Sequence, residues 1–154
     1  MFSKKTFADR IKSLRKEKKK TQQDLAQLLG VTKTQISDLE NAKTTTSIER
    51  LYTLADCFGV SLDYLVGRTE NPVINVQESI AMFNFGEHLK TIRQSKNLTQ
   101  KQLAELIGST ERGIQRYESG ERKPNFDAIL ALCNALNVSA DYLIGRTETP
   151  AINK

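Results

Sequence analysis

Along the chain, apolar positions recur at steps of three and four between polar runs, and the elements they predict are helices. Phe7, Ile11 and Leu14 mark one face of a first helix, after a cap at Thr6. Leu25, Ala26, Leu28 and Leu29 belong to a second, capped by Thr21 and ended by Gly30, since glycine takes the left-handed conformation without steric cost. Thr32 caps a third helix with a narrow apolar seam, Ile36 and Leu39. Ser47 caps a fourth, with Ile48, Leu51, Leu54 and Ala55 facing inward, and Ser61 caps a short fifth that ends at Gly67. No segment within this unit alternates as a strand does.

The same pattern then returns. A shift of 78 positions superimposes Phe7 on Phe85 and continues without a gap to Asn75 and Asn153, with about 26 of roughly 70 pairs identical. In the second copy Asn84 caps the first helix, with Glu87 placed for a capping box, and Phe85, Leu89 and Ile92 form its apolar face. Thr99 opens a second helix bearing Leu103, Ala104, Leu106 and Ile107, which Gly108 ends. Thr110 caps a third, with Ile114 and Tyr117 as its seam. Asn125 caps a fourth, with Phe126, Ile129, Leu132 and Cys133 inward, and Ser139 caps a fifth that ends at Gly145. The domains expected are 1–68 and 85–154, joined by a connector at 69–84, TENPVINVQESIAMFN. It is not a Gly/Ser tether: Val73, Ile74, Val76, Ile80, Met82 and Phe83 predict packing, with either a short strand at 73–77 or an early start to the next helix.

Composition narrows the classes. Units of about half of 154 residues bury only about 60% of their unfolded surface, yet such units fold alone. The net charge of +5 is shared, +3 from positions 1–78 (13 basic, 10 acidic) and +2 from the rest (10 basic, 8 acidic), which suits an anionic partner and makes neither half a charged tail. Cys57 and Cys133 are two places out of register and make no disulfide framework, so both are expected as reduced core residues. No apolar run reaches membrane-spanning length and the N-terminus lacks a signal-peptide core, so a soluble, cytoplasmic protein without membrane association is expected. There is no zinc-ligand cluster, no Ser/His/Asp set and no phosphate-binding glycine loop, so neither an enzyme nor a cofactor is expected.

The segments TQQDLAQLLGVTKTQISDLE and TQKQLAELIGSTERGIQRYE resemble the helix-turn-helix of the phage-repressor and Cro-type family (XRE, lambda-repressor-like). Thr-Gln opening helix 2, Leu-Ala within it, Gly in the turn, Ile in helix 3 and Glu near its end occur twice at one spacing, and the tails VSLDYLVGRTE and VSADYLIGRTE resemble the end of the same domain. The resemblance implies an all-α chain of two tandem five-helix DNA-binding domains, of bacterial or phage type, whose partner is double-stranded DNA. Each helix 3 would then enter a major groove, where every base pair shows a distinct donor and acceptor pattern. Its polar face offers Lys33, Thr34, Gln35, Ser37 and Asp38 in the first copy, and Glu111, Arg112, Gly113, Gln115 and Arg116 in the second, after the caps Thr32 and Thr110. The family pattern aligns Lys33, Thr34, Asp38, Glu111, Arg112 and Arg116 with base contacts. It makes Gln22 and Gln100 phosphate ligands, with Lys43, Arg122 and Lys123 contacting phosphates from the following loop. It also implies salt bridges from Arg15 to Glu40 and from Arg93 to Glu118.

None of those base-contacting positions is identical between the copies, so two readers would prefer different half-sites. Arg112 or Arg116 suits guanine, Gln115 suits an adenine edge, and Asp38 accepts from cytosine N4 while repelling phosphate. The run Lys16, Lys18, Lys19 and Lys20 is either a solvated face or a phosphate contact, and the Lys20 stem covers the core edge. Ala42 stands where the second copy has Gly120; a left-handed backbone there would cost the first copy about 1 kcal/mol, unless Asn41 takes that role. His88 is expected on the surface, and Arg68 and Arg146 as caps for terminal carbonyls. The leading function is a transcriptional regulator, by family prior a repressor, whose domains read successive major grooves of one asymmetric operator. The alternative makes one repeat, the first above all, a protein-interaction or dimerisation module, as in an antitoxin or anti-repressor. Self-association through the connector would give a homodimer with four domains. No small-molecule effector is indicated.

Overall fold

The computed structural model describes residues 3–74 and 84–152. They form two compact all-helical units, one ending at Ile74 and the other described from Asn84 to Ile152. The first holds α1 (Lys4–Glu17), α2 (Gln22–Leu29), α3 (Lys33–Glu40), α4 (Ile48–Phe58) and α5 (Leu62–Leu65). The second holds α6 (Phe85–Ser95), α7 (Gln100–Leu106), α8 (Glu111–Glu118), α9 (Phe126–Leu136) and α10 (Ala140–Leu143). Among the described residues there is no extended strand.

Each core is the apolar stripe of its helices turned inward. Phe7, Ile11, Leu25, Ile36, Leu51, Leu54, Phe58 and Leu65 are buried in the first unit. Leu89, Leu103, Ile114, Phe126, Leu132, Leu136 and Leu143 are buried in the second. Burying side chains of this size is worth about 1.5–3 kcal/mol each, which is how units of this length hold together. The caps set the helix starts. Thr21 Oγ1 accepts from the Asp24 N–H at 3.0 Å while Asp24 Oδ2 accepts from the Thr21 N–H at 2.7 Å; Thr99 and Gln102 repeat the box at 3.1 and 2.9 Å. The turns after α2 and α7 pass through Gly30 (φ 63°) and Gly108 (φ 65°), as the sequence predicts.

Several local expectations are corrected. Helix α1 begins a turn early, because Ser3 serves as its cap and accepts from the Thr6 N–H; Thr6 lies inside the helix, against Gly67. Ser47 has cap-like backbone but its side chain makes no cap bond, whereas Asn125 accepts from Ala128 at 2.9 Å. Cys133 is fully buried while Cys57 is only half-buried, and neither is in a disulfide. Val73 is exposed and residues 73–74 form no strand; the expectations for Val76, Ile80, Met82 and Phe83 lie outside the described residues. The start of the stretch read as connector is tied to the first unit: Thr69 is buried, and Pro72 accepts from the Ser61 N–H at 2.9 Å. In the second unit Pro150 accepts from Ser139 at 2.8 Å in the same way.

His88 is not a free surface side chain. Its Nε2 stands 2.7 Å from the Tyr142 carbonyl, and its ring meets the Tyr142 ring edge-on at 4.9 Å, so it joins α6 to α10. Arg10 has that role in the first unit. It donates to the carbonyls of Tyr64 and Thr69, pairs with Glu70 and lies over the Tyr64 ring. Arg68 and Arg146 form ion pairs with Asp63 and Asp141, each at 2.6 Å with both partners largely buried. These carboxylates lie five residues upstream of their arginines, at the start of α5 and of α10.

Candidate nucleic-acid interface

The third helix of each unit is fixed from inside by one carboxylate. Glu40, at the end of α3, is 5% exposed; its Oε1 accepts from Arg15 Nε at 2.5 Å and its Oε2 from Gln22 Nε2 at 2.9 Å. Arg15 also donates to the Lys20 carbonyl at 2.9 Å, so three segments converge on the pair. The second unit repeats this: Glu118 accepts from Arg93 at 2.6 Å and from Gln100 at 2.8 Å, and Arg93 reaches the Leu98 carbonyl at 2.7 Å. A buried charge needs a partner and satisfied lone pairs, and these bonds supply both. The scaffold salt bridges implied by the resemblance are present. Gln22 and Gln100, half-buried at the helix 2 N-termini, are seen bonding these carboxylates.

Opposite that anchor each third helix is open. On α3, Ile36 and Leu39 point into the core, Lys33, Thr34 and Gln35 are exposed, and Ser37 and Asp38 are half-exposed. On α8, Ile114 and Tyr117 are buried, Glu111, Arg112 and Gln115 are exposed, and Arg116 is half-exposed. Thr34 and Asp38 stand one turn apart, as do Arg112 and Arg116, so each pair shares one stripe. Gly113, expected on the open face, is buried instead: a Cβ there would sit 2.8 Å from Ser109 Oγ. Thr32 and Thr110 act as caps, accepting from Gln35 at 3.2 Å and from Gly113 at 3.0 Å. Gln35 returns the bond to the Thr32 N–H at 2.9 Å, which holds its carbonyl end in the capping box. Lys43, Arg122 and Lys123 are exposed in the loops that follow, with the Arg122 guanidinium 5.9 Å from the Tyr117 ring centre. Lys16, Lys18 and Lys19 are exposed, and Lys20 is half-buried as its position at the core edge requires.

Ala42 is left-handed at φ 58°, matching Gly120 at φ 77°, while Asn41 stays at φ −99°. Alanine therefore occupies a backbone state that suits glycine. Glu121 escaped the sequence reading. It aligns with Lys43 under the 78-residue shift and stands 3.2 Å from Arg116 Nε. Lys43 stands 3.7 Å from Asp38, the residue aligned with Arg116. The signal for this was present: both members of one pair change sign between the copies.

A protein of two such units is a tandem helix-turn-helix protein. The helix-turn-helix family matches the chain twice, over residues 11–65 and 89–143, and the chain belongs to that family, in its phage-repressor and Cro-type form. Relatives include the SPbeta prophage-derived uncharacterized HTH-type transcriptional regulator YonR of Bacillus subtilis, 40% identical over 64 residues, 42% of this chain and 59% of that protein. The HTH-type transcriptional regulator ImmR of the same organism is 38% identical over 71 residues, 46% of this chain and 56% of its own length. The matched part of the chain thus spans little more than half of these curated relatives. A crystal structure of the P22 c2 repressor protein in complex with synthetic operator 9T is 30% identical, with TM-score 0.41, over 43% of this chain and 100% of that one. No helix among the described residues is long and apolar enough to cross a membrane.

Proposed function

We propose that the chain is a sequence-specific double-stranded-DNA-binding transcriptional regulator, acting in the cytoplasm as a repressor by binding rather than by catalysis. Its domains, 1–68 and 85–154, read successive major grooves with α3 and α8. The observation that carries the reading is the twice-built pairing of a buried carboxylate anchor with an exposed polar face on one short helix. A helix of this kind fits the major groove, and its preset orientation saves ordering entropy on docking. The names of the relatives, transcriptional regulators among them, support the same class. Thr69 and Pro72 are held to the first unit, so the reach comes from the roughly ten steps between Ile74 and Asn84, about 33–36 Å when extended, which matches the about 34–36 Å between half-sites one helical turn apart. Linkage raises the second domain's effective concentration to about millimolar, so two weak contacts combine.

Gln22, Gln100, Lys43, Arg122 and Lys123 hold phosphates in this reading, with the face residues from Lys33 to Asp38 and from Glu111 to Arg116 toward the bases. Gln22 and Gln100 have a second amide hydrogen to offer beyond the bond to Glu40 or Glu118. Titration of a labelled random-sequence duplex at low and rising salt tests the proposal: binding that weakens steeply with salt is expected, and no affinity at low salt removes it. One rival is favoured by a specific observation, the acid Asp38 and the absence of arginine on the α3 face, and it makes the first unit a protein-interaction module. Lys33→Ala with Thr34→Ala, set against Arg112→Ala with Arg116→Ala, separates them: losses from both sets mean two readers, and loss from the second alone means the rival. Light scattering tests for a homodimer built through the connector.

A further inference from the structure

The two third helices carry one ion pair with its charges exchanged. In the first unit the acid, Asp38, is on the helix and the base, Lys43, in the loop, 3.7 Å apart. In the second the base, Arg116, is on the helix and the acid, Glu121, in the loop, 3.2 Å apart. The positions correspond one to one. Two independent surface substitutions would leave like charges facing each other in half of the sign combinations; here both members changed and the attraction survived. Exposed ion pairs contribute little stability, so the pairing says more about what each helix presents than about what holds the fold.

Resting on the DNA-reading function proposed above, we infer that the loop residue is a positioning residue for the helix residue, and that the exchange makes the two units demand opposite bases at the same step. Arg116 Nε is buried and faces Glu121 without hydrogen-bond alignment, so the carboxylate attracts the inner side of the guanidinium while the side chain remains 40% exposed. The outer edge then presents the paired N–H groups that match guanine O6 and N7. Asp38 is an acceptor only, and the base-edge donor it fits is cytosine N4. Its charge would repel phosphates, and Lys43, 3.7 Å away, offsets that charge. With each half-site written in the direction of its own reading helix, one carries guanine where the other carries cytosine.

Selection of bound duplexes from a random pool, using the full chain, tests this. The unmodified protein is expected to yield half-sites that differ by a guanine-to-cytosine inversion at one step. Exchanging the pair in the first unit, Asp38→Arg with Lys43→Glu, should convert that cytosine to guanine and leave the other half-site alone. A folded variant that still selects duplexes with the base unchanged overturns the inference while leaving DNA reading intact; failure of the unmodified protein to bind any duplex removes both. Glu121→Gln should cut guanine discrimination at that step by about tenfold or more without weakening binding to unselected duplex, and Glu121→Asp should restore part of it. Equal losses on selected and unselected duplexes would mean that Glu121 only supports the loop, and would also overturn the inference.

Discussion

The two units share a frame and differ in what the frame displays. Both suspend the third helix from a buried Glu held by Arg and Gln, and both close the preceding turn with a left-handed glycine. They part at the surface, where Asp38 faces Arg116 and Lys43 faces Glu121 in the alignment, and at a few interior seats. Ala8, buried on α1, corresponds to Gly86 on α6, and Leu39 corresponds to Tyr117. A Cβ on Gly86 would run into the Glu118 carbonyl, 2.8 Å from its carbon, so α6 and α8 approach too closely there for the alanine that the first unit carries. The difference teaches that identity follows buried charge, and that divergence is tolerated where one contact can be exchanged for another of similar shape or opposite sign.

The largest test of the shared frame is to remove its anchor. Glu40→Ala and Glu118→Ala each leave a guanidinium buried beside the core without its carboxylate, and each should cost its own unit about 3–5 kcal/mol. Unequal losses in denaturant unfolding, followed unit by unit, would break the equivalence. Gly86→Ala comes next: overpacking should destabilise the second unit by about 1–3 kcal/mol, although the first unit has alanine at that place. A neutral result would mean that α6 can shift away from α8.

Exchanging the loop residues after the third helix should change sign between units. Ala42→Gly relieves a left-handed alanine and should stabilise the first unit by up to about 1 kcal/mol; Gly120→Ala should cost the second unit a similar amount, and its site is otherwise open. Melting temperatures of the two variants report both signs. The smallest effect concerns acid. The N–H and hydroxyl of Thr21 hold the Asp24 carboxyl below the ordinary aspartate value. The folded form thus binds this proton less readily than the unfolded chain, so the contribution is full above the ordinary aspartate value and is lost as pH falls through the lowered one. Gln102 takes the same seat in the second unit and does not titrate, so an acid titration of stability should register this cap in the first unit alone. Asp24→Gln should remove that pH dependence.

The helices and the outward polar faces of α3 and α8 were legible because capping residues, turn glycines and apolar steps are local signals, and because each was written twice. What escaped depends on distance in the fold. His88 reads as a surface residue until α10 brings the Tyr142 carbonyl to it, 54 positions away. The ion pairs of Arg68 with Asp63 and of Arg146 with Asp141 went unread because these acids are buried, which only packing can identify. Gly113 sits among polar residues in the sequence, yet the close approach of Ser109 makes it interior. Ser3 displaces Thr6 as the α1 cap, because several hydroxyls compete for one helix start.

The carboxylate of Glu40 binds both the helix before the turn motif and the first residue of that motif, and Glu118 does the same. A side chain on the outer stripe can therefore be replaced without disturbing the bonds that aim it. In the DNA-reading function proposed above, retargeting by exchange of a few outward residues, with the interior triad untouched, is thus mechanically open to each unit, and the second stripe can change without cost to the first.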